Sequence, residues 1–487
     1  MTPEGPVPQP GGMTTTGPSA LSARDALALV ARDFSAFTGP ERPQPPDGPL
    51  GWGGYDAARA RARDRTGESE SVLCGTGKAG SVEAVLISFE FGYLGGSLGE
   101  RTGDRIEAAH ARAREQGLPV VTLVATGGSR MQEGMRALTQ LQRVARQTAL
   151  TRRAGLPQLA LVRDPATGGG WATLAAGADV VLGLPGAQAG FAGSRVRPRD
   201  ADPGAYTVEG QHAAGHLDQI VPEDEAGPAV ARWLGLLTDG GNGTRGEAPP
   251  EPEPEPEPGP APEPAPVPYA LTSAPPPESG TEAVSRARSR DRPRAAAYLD
   301  AYFAEREEIS GDRAGGVDPG MRCGFGRHRG RTVAYAAQCG TATLPSGYRT
   351  AARLIRLADR LGLPVLTLID TPGAANDAEA ERAGAGPAIA DVFAAVAEAA
   401  VPVTSLLIGE GGSGGALALA APGALWVTPD SYFSVIAPEM AAAILKRGPE
   451  RVPETAEELR LRPQDAVGLG VARGIAPRAP GLPPVCE

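Results

Sequence analysis

Short apolar runs of strand length alternate with longer amphipathic stretches along most of this chain. Val82–Phe89, Val120–Ala125, Leu159–Val162 and Asp179–Leu184 predict strands, as do Thr332–Ala337, Val365–Ile369, Val403–Ile408 and Leu425–Thr428. Arg105–Gln116, Met131–Ala154, Gly347–Leu361 and Gly386–Ala399 carry apolar residues at helical spacing and predict helices. Such alternation implies α/β units joined by right-handed crossovers. The pattern also repeats. GLPQLALVRDPATGGGWATLAAGADVV (Gly155–Val181) and AVPVTSLLIGEGGSGGALALAAPGALWV (Ala400–Val427) are each an apolar run, a glycine turn and an Ala/Leu-rich helical stretch. Matching units precede them, QGLPVVTLVATGGSR (Gln116–Arg130) and LGLPVLTLIDTPGAA (Leu361–Ala375). Pro119 and Pro157 are separated by the same interval as Pro364 and Pro402. Two duplicated halves of one fold are the economical reading.

Composition sharpens this division. A chain of 487 residues is long enough for two domains with full cores. Residues 240–280 are dominated by Pro, Glu and Ala and predict a semi-stiff, disordered tether. The domains are therefore expected at 21–239 and 281–487, behind a disordered tail at 1–20 that has no signal-peptide pattern. No apolar stretch predicts a membrane span, and cytoplasmic residence is the default expectation. The net charge of −10 leaves nucleic acid an unpromising partner. Cys74, Cys323, Cys339 and Cys486 are scattered without a CxxC pair, so neither a disulfide framework nor a zinc ribbon is expected, and no metal site.

The glycine turns are where chemistry is expected. A strand delivering glycines into a helix start leaves N–H donors without intrahelical partners, in a positive dipole field. Glycine lets a substrate oxygen approach the main chain. Thr167-Gly168-Gly169-Gly170 and Ser413-Gly414-Gly415-Ala416 both have this form. They read as oxyanion holes, or as glycines needed only for tight helix–sheet packing. Gly409, Gly411 and Gly414, with Asp430 further on, match a dinucleotide fingerprint, but DPATGGG in the first half does not. GTGKAG (Gly75–Gly80) lacks the Ser or Thr that a phosphate loop needs after Lys78. His110, His212, His216 and His328 have no carboxylate or cysteine at ligand spacing, and Asp370 fits a cap or turn as well as a catalytic role. No nucleophile–base pair stands out, which favours a reaction whose substrates supply their own base.

These motifs resemble the carboxyltransferase component of multisubunit acetyl-CoA carboxylase, its β and α subunits fused in that order. The β-like half carries YDAARARARDRTGESESVLCGTGKAG (Tyr55–Gly80), FEFGYLGGSLGE (Phe89–Glu100), ATGGSRMQE (Ala125–Glu133), DPATGGG (Asp164–Gly170) and GFAGSRV (Gly190–Val196). The α-like half carries GDR (Gly311–Arg313), LPSGYRTAARLIRLADRLGLPVLTLIDTPGA (Leu344–Ala374), IGEGGSGGALALA (Ile408–Ala420) and YFSVIAPEMAAAILKR (Tyr432–Arg447).

The resemblance implies a crotonase (ClpP-like) fold of ββα units in each half, with an active site between a β-type and an α-type domain. It implies carboxyl transfer from carboxybiotin, supplied in trans with no covalently bound cofactor, to acetyl-CoA, giving malonyl-CoA. One glycine pair would hold the biotin enolate, which is thought to serve as the base, and the other the thioester enolate. By position these are Gly168 and Gly169, uncertain by one residue in the triple glycine, and Gly414 and Gly415. Gly127, Gly128, Gly411 and Gly412 are the substrate-binding positions by the same resemblance. Neither Lys78 nor Lys446 sits in a biotin-attachment setting. Biotin carboxylase and biotin carboxyl carrier protein are therefore implied partners, and a homo-oligomer the expected assembly. Some features depart from the family pattern. The zinc ribbon is missing, AAQCGTATLPSGYR (Ala336–Arg349) is short and uncharged where the family is basic, Ala375–Asp377 replace an aromatic-Pro-Gly, and the segment after GFAGSRV is truncated. These departures leave open weaker binding of CoA phosphates, carboxyl transfer to another acyl-CoA such as propionyl-CoA, decarboxylation of malonyl thioesters, or a non-catalytic scaffold paralogue.

Overall fold

The computed structural model describes residues 21–40, 42–190, 200, 202–239, 262–377, 379–380 and 383–480. The tail at 1–20, linker residues 240–261, GFAGSRV beyond Gly190, and Cys486 lie outside the described residues. The first half contains β1 (Arg32–Ala36), β2 (Val72–Ala79), β3 (Val82–Phe89), β4 (Val120–Thr126), β5 (Gln158–Thr167), β6 (Val180–Gly183), β7 (Ala189–Gly190) and β8 (Gln219–Ile220). The second contains β9 (Glu305–Ile309), β10 (Met321–His328), β11 (Arg331–Gln338), β12 (Val365–Thr371), β13 (Val403–Gly412), β14 (Leu425–Val427), β15 (Tyr432–Ser434) and β16 (Gly474–Ile475). The sheets have orders β1-β2-β3-β4-β5-β6-β8, with β7 beside β5, and β9-β10-β11-β12-β13-β14-β16, with β15 beside β13. The two halves correspond strand for strand.

β3 to β6 and β11 to β14 run parallel, and the central strands β4 and β12 are buried along their whole length. Such strands are covered on both faces, which explains their continuous apolar runs. The helix Pro345–Arg360 starts with Pro at its first turn and buries Tyr348, Ala351, Ala352 and Ile355 at helical spacing. The expected helix Met131–Ala154 is instead a 3-10 turn, a short helix Gly134–Leu138 and a helix Gln140–Arg153. Gly134, with φ of 52°, breaks it at the start.

GTGKAG forms the end of β2 and its hairpin turn. A side chain on Gly75 would strike Ser35 O, and one on Gly324 in β10 would strike Glu307 O, at 2.2 and 2.1 Å. These glycines let the edge strands β1 and β9 lie close, and phosphate binding plays no part in their placement. The linker also differs from expectation. Its described part runs along the second half: Ala270 exchanges backbone hydrogen bonds with Pro477 and Ala479, and Thr404 and Tyr302 donate hydroxyls to Ala265 O and Pro266 O. Ala265 and Ala270 are buried. The packed chain of the second half therefore begins by residue 262, ahead of 281, because alanines punctuating the prolines give this stretch something to bury.

The halves share one apolar core. Trp233, Leu234 and Leu237 of the helix Ala226–Leu237 join the cluster that includes Phe325, Ala334 and Ile355. The rings of Trp233 and Phe325 meet edge to face, 6.4 Å apart. Trp233→Ala should therefore cost about 3–5 kcal/mol. Calorimetry should show one cooperative transition displaced downward; a second transition left at its original temperature would show that the halves unfold independently.

Candidate active site

Each candidate site is made where two parallel strands part. β4 and β5 keep register until a shift between Val124 and Thr126, and β12 and β13 shift at the equivalent place, between Ile369 and Thr371. Beyond it, Thr126 Oγ1 accepts the Gly128 N–H and Thr371 Oγ1 accepts the Gly373 N–H, both at 3.1 Å. A further loop braces each of these. Leu98 N–H donates to Gly128 O and Arg130 N–H to Leu98 O; Thr343 N–H donates to Gly373 O and Ala375 N–H to Thr343 O. The duplication thus reaches individual hydrogen bonds.

β5 and β13 each then turn into a short helix through a left-handed residue, Gly168 at φ 67° and Ser413 at φ 55°. Neither helix start has a capping side chain, so its first N–H groups have no side-chain acceptor. This equivalence pairs Gly169 with Gly414 and Gly170 with Gly415. A methyl on Gly168 would stand 3.1 Å from Gly128 Cα, one on Gly169 would meet Leu141, and one on Gly170 would meet Thr126. On the other side, a methyl on Gly412 would overlap Pro372 O and one on Gly415 would overlap Tyr348 Oη and Ala374 N. Gly414 is exposed, and a methyl there would have nothing within 4 Å. Gly127 is exposed but already donates to Gly95 O, and Gly411 is buried beside Phe433. The fold therefore assembles Gly127, Gly128 and Gly168–Gly170 at one site and Gly411–Gly415 at another. Gly373, Tyr348 (whose hydroxyl donates to Gly415 O at 3.0 Å) and the loop at Gly95–Leu98 were not singled out from the sequence. Comparing FEFGYLGGSLGE with the second half position by position is the signal that finds them.

A buried ionic cluster fixes the first loop. Arg130 is ion-paired to Glu70 and, at 3.3 Å, to Glu133, and it also reaches Ser97 O at 2.8 Å. Glu133 accepts from the Tyr55 hydroxyl and the Glu100 N–H. All four side chains are nearly fully buried. Burial alone would raise the Glu70 carboxyl, but the Arg130 charge, its hydrogen bond and the Ser71 N–H outweigh this and hold it at about 2. Other sequence candidates have structural partners. Asp370 is buried between Arg292 (2.6 Å) and Arg294 (3.4 Å), and Gly409 leaves room for that pair. His110 is buried against Thr151, and burial, with Arg114 adding to it, lowers it to about 4. His216 contacts Gln211 and His328 contacts the Tyr302 carbonyl. Burial raises the Cys74 thiol to about 12 and Cys339 to about 11. Among the described residues no cluster of three or more His, Cys, Asp or Glu could hold a metal ion, and no helix is long and apolar enough to cross a membrane.

Residues 51–235 match the carboxyl transferase domain family, and residues 279–481 match the acetyl co-enzyme A carboxylase carboxyltransferase-like family. The acetyl-coenzyme A carboxylase carboxyl transferase subunits beta/alpha of Saccharopolyspora erythraea is 35% identical over 443 residues, covering 88% of this chain and 75% of that one. The protein of the same description from Parafrankia sp. is 37% identical, covering 86% and 72%. The chain belongs to this fused beta/alpha carboxyl transferase family. A structure of transcarboxylase 12S, with hydrolysed methylmalonyl-coenzyme A bound, superposes with a TM-score of 0.73 at 21% identity, covering 94% of this chain and 87% of that one. That likeness places both halves in the crotonase fold.

In this carboxyl transferase the Arg130 cluster is the structural support most open to test. Arg130→Ala leaves Glu70 and Glu133 buried without their cation and should cost about 3–5 kcal/mol. Glu70 has a folded value of about 2, below its ordinary 4.5, so its share of the stability is present above 4.5 and is lost as pH falls toward 2. Urea unfolding should accordingly show a gap between wild type and variant that narrows through that range; a constant gap would deny Glu70 this role.

Proposed function

We propose that this chain transfers a carboxyl group from carboxybiotin, carried by a separate biotin carboxyl carrier protein, to acetyl-CoA to form malonyl-CoA. The observation that carries this reading is the pair of uncapped glycine turns, one per half, each built from the same strand-end frame. Carboxybiotin supplies the carboxyl group and, once that is released, the base for the acetyl methyl proton. The chain's own task is then electrostatic. The reaction develops negative charge on two carbonyl oxygens, and N–H donors fixed in advance stabilise such charge without reorganising. Gly168 and Gly169 are assigned to one oxygen and Gly414 and Gly415 to the other; the equivalence of Gly170 with Gly415 extends the first set by one residue. Gly128, at Gly168, and Gly412, at the Pro372 carbonyl, keep the floors of the two sites narrow.

The two turns are assigned to one reaction centre formed by two copies of the chain. Tyr348 near the start of Pro345–Arg360 touches the second turn, while Arg353 midway along it and Arg360 at its end reach Asp218 and Asp179 of the first half. Leu141 near the start of Gln140–Arg153 backs the first turn, and Arg152 at its end meets Asp179. The far ends of these two helices thus meet at Asp179, roughly 16–18 Å, a helix length, from either turn. Exposed apolar residues flank both: Met131 and Leu138 by the first, and Leu417, Val435, Met440 and Ile444 by the second. A second copy covering these surfaces would bring unlike turns together, in the manner of a closed symmetric oligomer. A biotin carboxylase is the remaining partner, since it charges the carrier.

Purified protein supplied with biotin carboxylase, biotinylated carrier, ATP, bicarbonate and acetyl-CoA is expected to form malonyl-CoA. No carboxylated product with any acyl-CoA would sink the proposal. Gly414→Ala should melt at the wild-type temperature, because the methyl enters open space, yet lose about 10²-fold in activity, comparable to loss of one oxyanion donor. A folded variant with full activity would remove Gly414 from the site.

A further inference from the structure

A cavity of ≈480 Å³ lies between the two halves, lined by Arg152 and Asp179 from the first and by Arg313, Arg353, Arg356 and Arg360 from the second. These five guanidiniums have three carboxylates among their partners. Asp179 faces Arg360 at 2.6 Å and Arg152 at 3.5 Å; buried Asp218 faces Arg353 at 2.9 Å and Arg313; Asp391, outside the cavity, pairs with Arg356. Asp179 and Asp218 are already shared with backbone donors, the N–H groups of Gln158, Val181 and Ser310. The Arg360 Nη1 atom is buried without an acceptor. Arg152 and Arg360 sit in last turns, where the helix dipole favours a cation, and Arg152 also reaches Gly177 O; Arg313 donates to His216 O and Arg353 to the Ser310, Gly311 and Asp179 carbonyls. Arg313 is held in a left-handed backbone conformation at φ 60°, and burial together with the nearby Arg353 depresses its pKa despite Asp218.

So many cations gathered from both halves, with one donor left over, match the geometry of a phosphorylated anion, because planar guanidiniums bind phosphate oxygens in pairs. We propose that this junction cavity binds a diphosphate, either free or as the diphosphate group of a nucleotide. Its ligand bridges the C-terminal ends of the two helices whose opposite ends back the glycine turns. The inference does not depend on the reaction assigned to those turns.

Titration calorimetry of the full chain with inorganic pyrophosphate, and separately with ADP, at matched ionic strength tests it. Saturable binding of one ligand per chain is expected. Equal affinity for the two ligands would mark a free diphosphate as the ligand, and tighter ADP binding a nucleotide. Arg152→Ala with Arg356→Ala removes two partly exposed guanidiniums at the cavity, and should weaken binding about tenfold or more at an unchanged melting temperature. Arg356→Glu alone serves if the double variant melts early, since Arg356 gives up only the exposed Asp391 pair. Absence of saturable binding, or binding unaltered by these substitutions, overturns the proposal.

Discussion

The close approach of backbone to backbone where the parallel strands part is the constraint on which both sites depend. Gly168 lies against Gly128 in one half, and Gly412 against the Pro372 carbonyl in the other. A side chain at either position would push the strand end away from its neighbour and turn the following helix start elsewhere. The threonine hydroxyls of Thr126 and Thr371 fix the opposite wall by holding the glycine N–H two residues on. Glycine, threonine and the register shift together decide where the helix N–H groups point.

On this common frame the two halves differ in what supports it. The first loop is pinned by an ion cluster around Arg130, buried and hydrogen-bonded on several sides. The second turn is backed by the neutral groups of Tyr348 and Gln338, both donating to Gly415 O. Gly168 occupies the left-handed position in one turn, and Ser413 occupies it in the other. Duplication followed by separate refinement yields two turns with the same backbone frame and different surroundings.

Much of this was legible in the sequence. The central strands β3, β4, β12 and β13 are mostly apolar because both faces are covered, and their runs mark them plainly. The hairpin strands β2 and β10 escaped because Gly75, Gly77, Gly324 and Gly326 interrupt the apolar pattern for the sake of edge-strand packing. The glycine turns were visible as a repeat, but which glycine faces open space was not. Gly414 and Gly415 are adjacent and chemically identical, yet one is open and the other is pressed on Tyr348. Arg130, Glu70 and Tyr55 are distant in sequence, so only the folded chain brings their charges and hydroxyl together. The packed stretch after residue 262 was hidden by its proline content, although its alanines are what the second half buries.

Whether unlike turns from two chains make one reaction centre is the point on which the functional reading rests most heavily. It is tested by mixing two inactive variants, Gly168→Val in the first turn and Gly414→Val in the second, after exchange of subunits. If the centres lie between chains, each mixed dimer has one intact centre, and carboxyl transfer should return to roughly a quarter of the wild-type rate. If both turns of a centre belonged to the same chain, every centre in the mixture would carry a defect, and the activity would stay at the level of the separate variants.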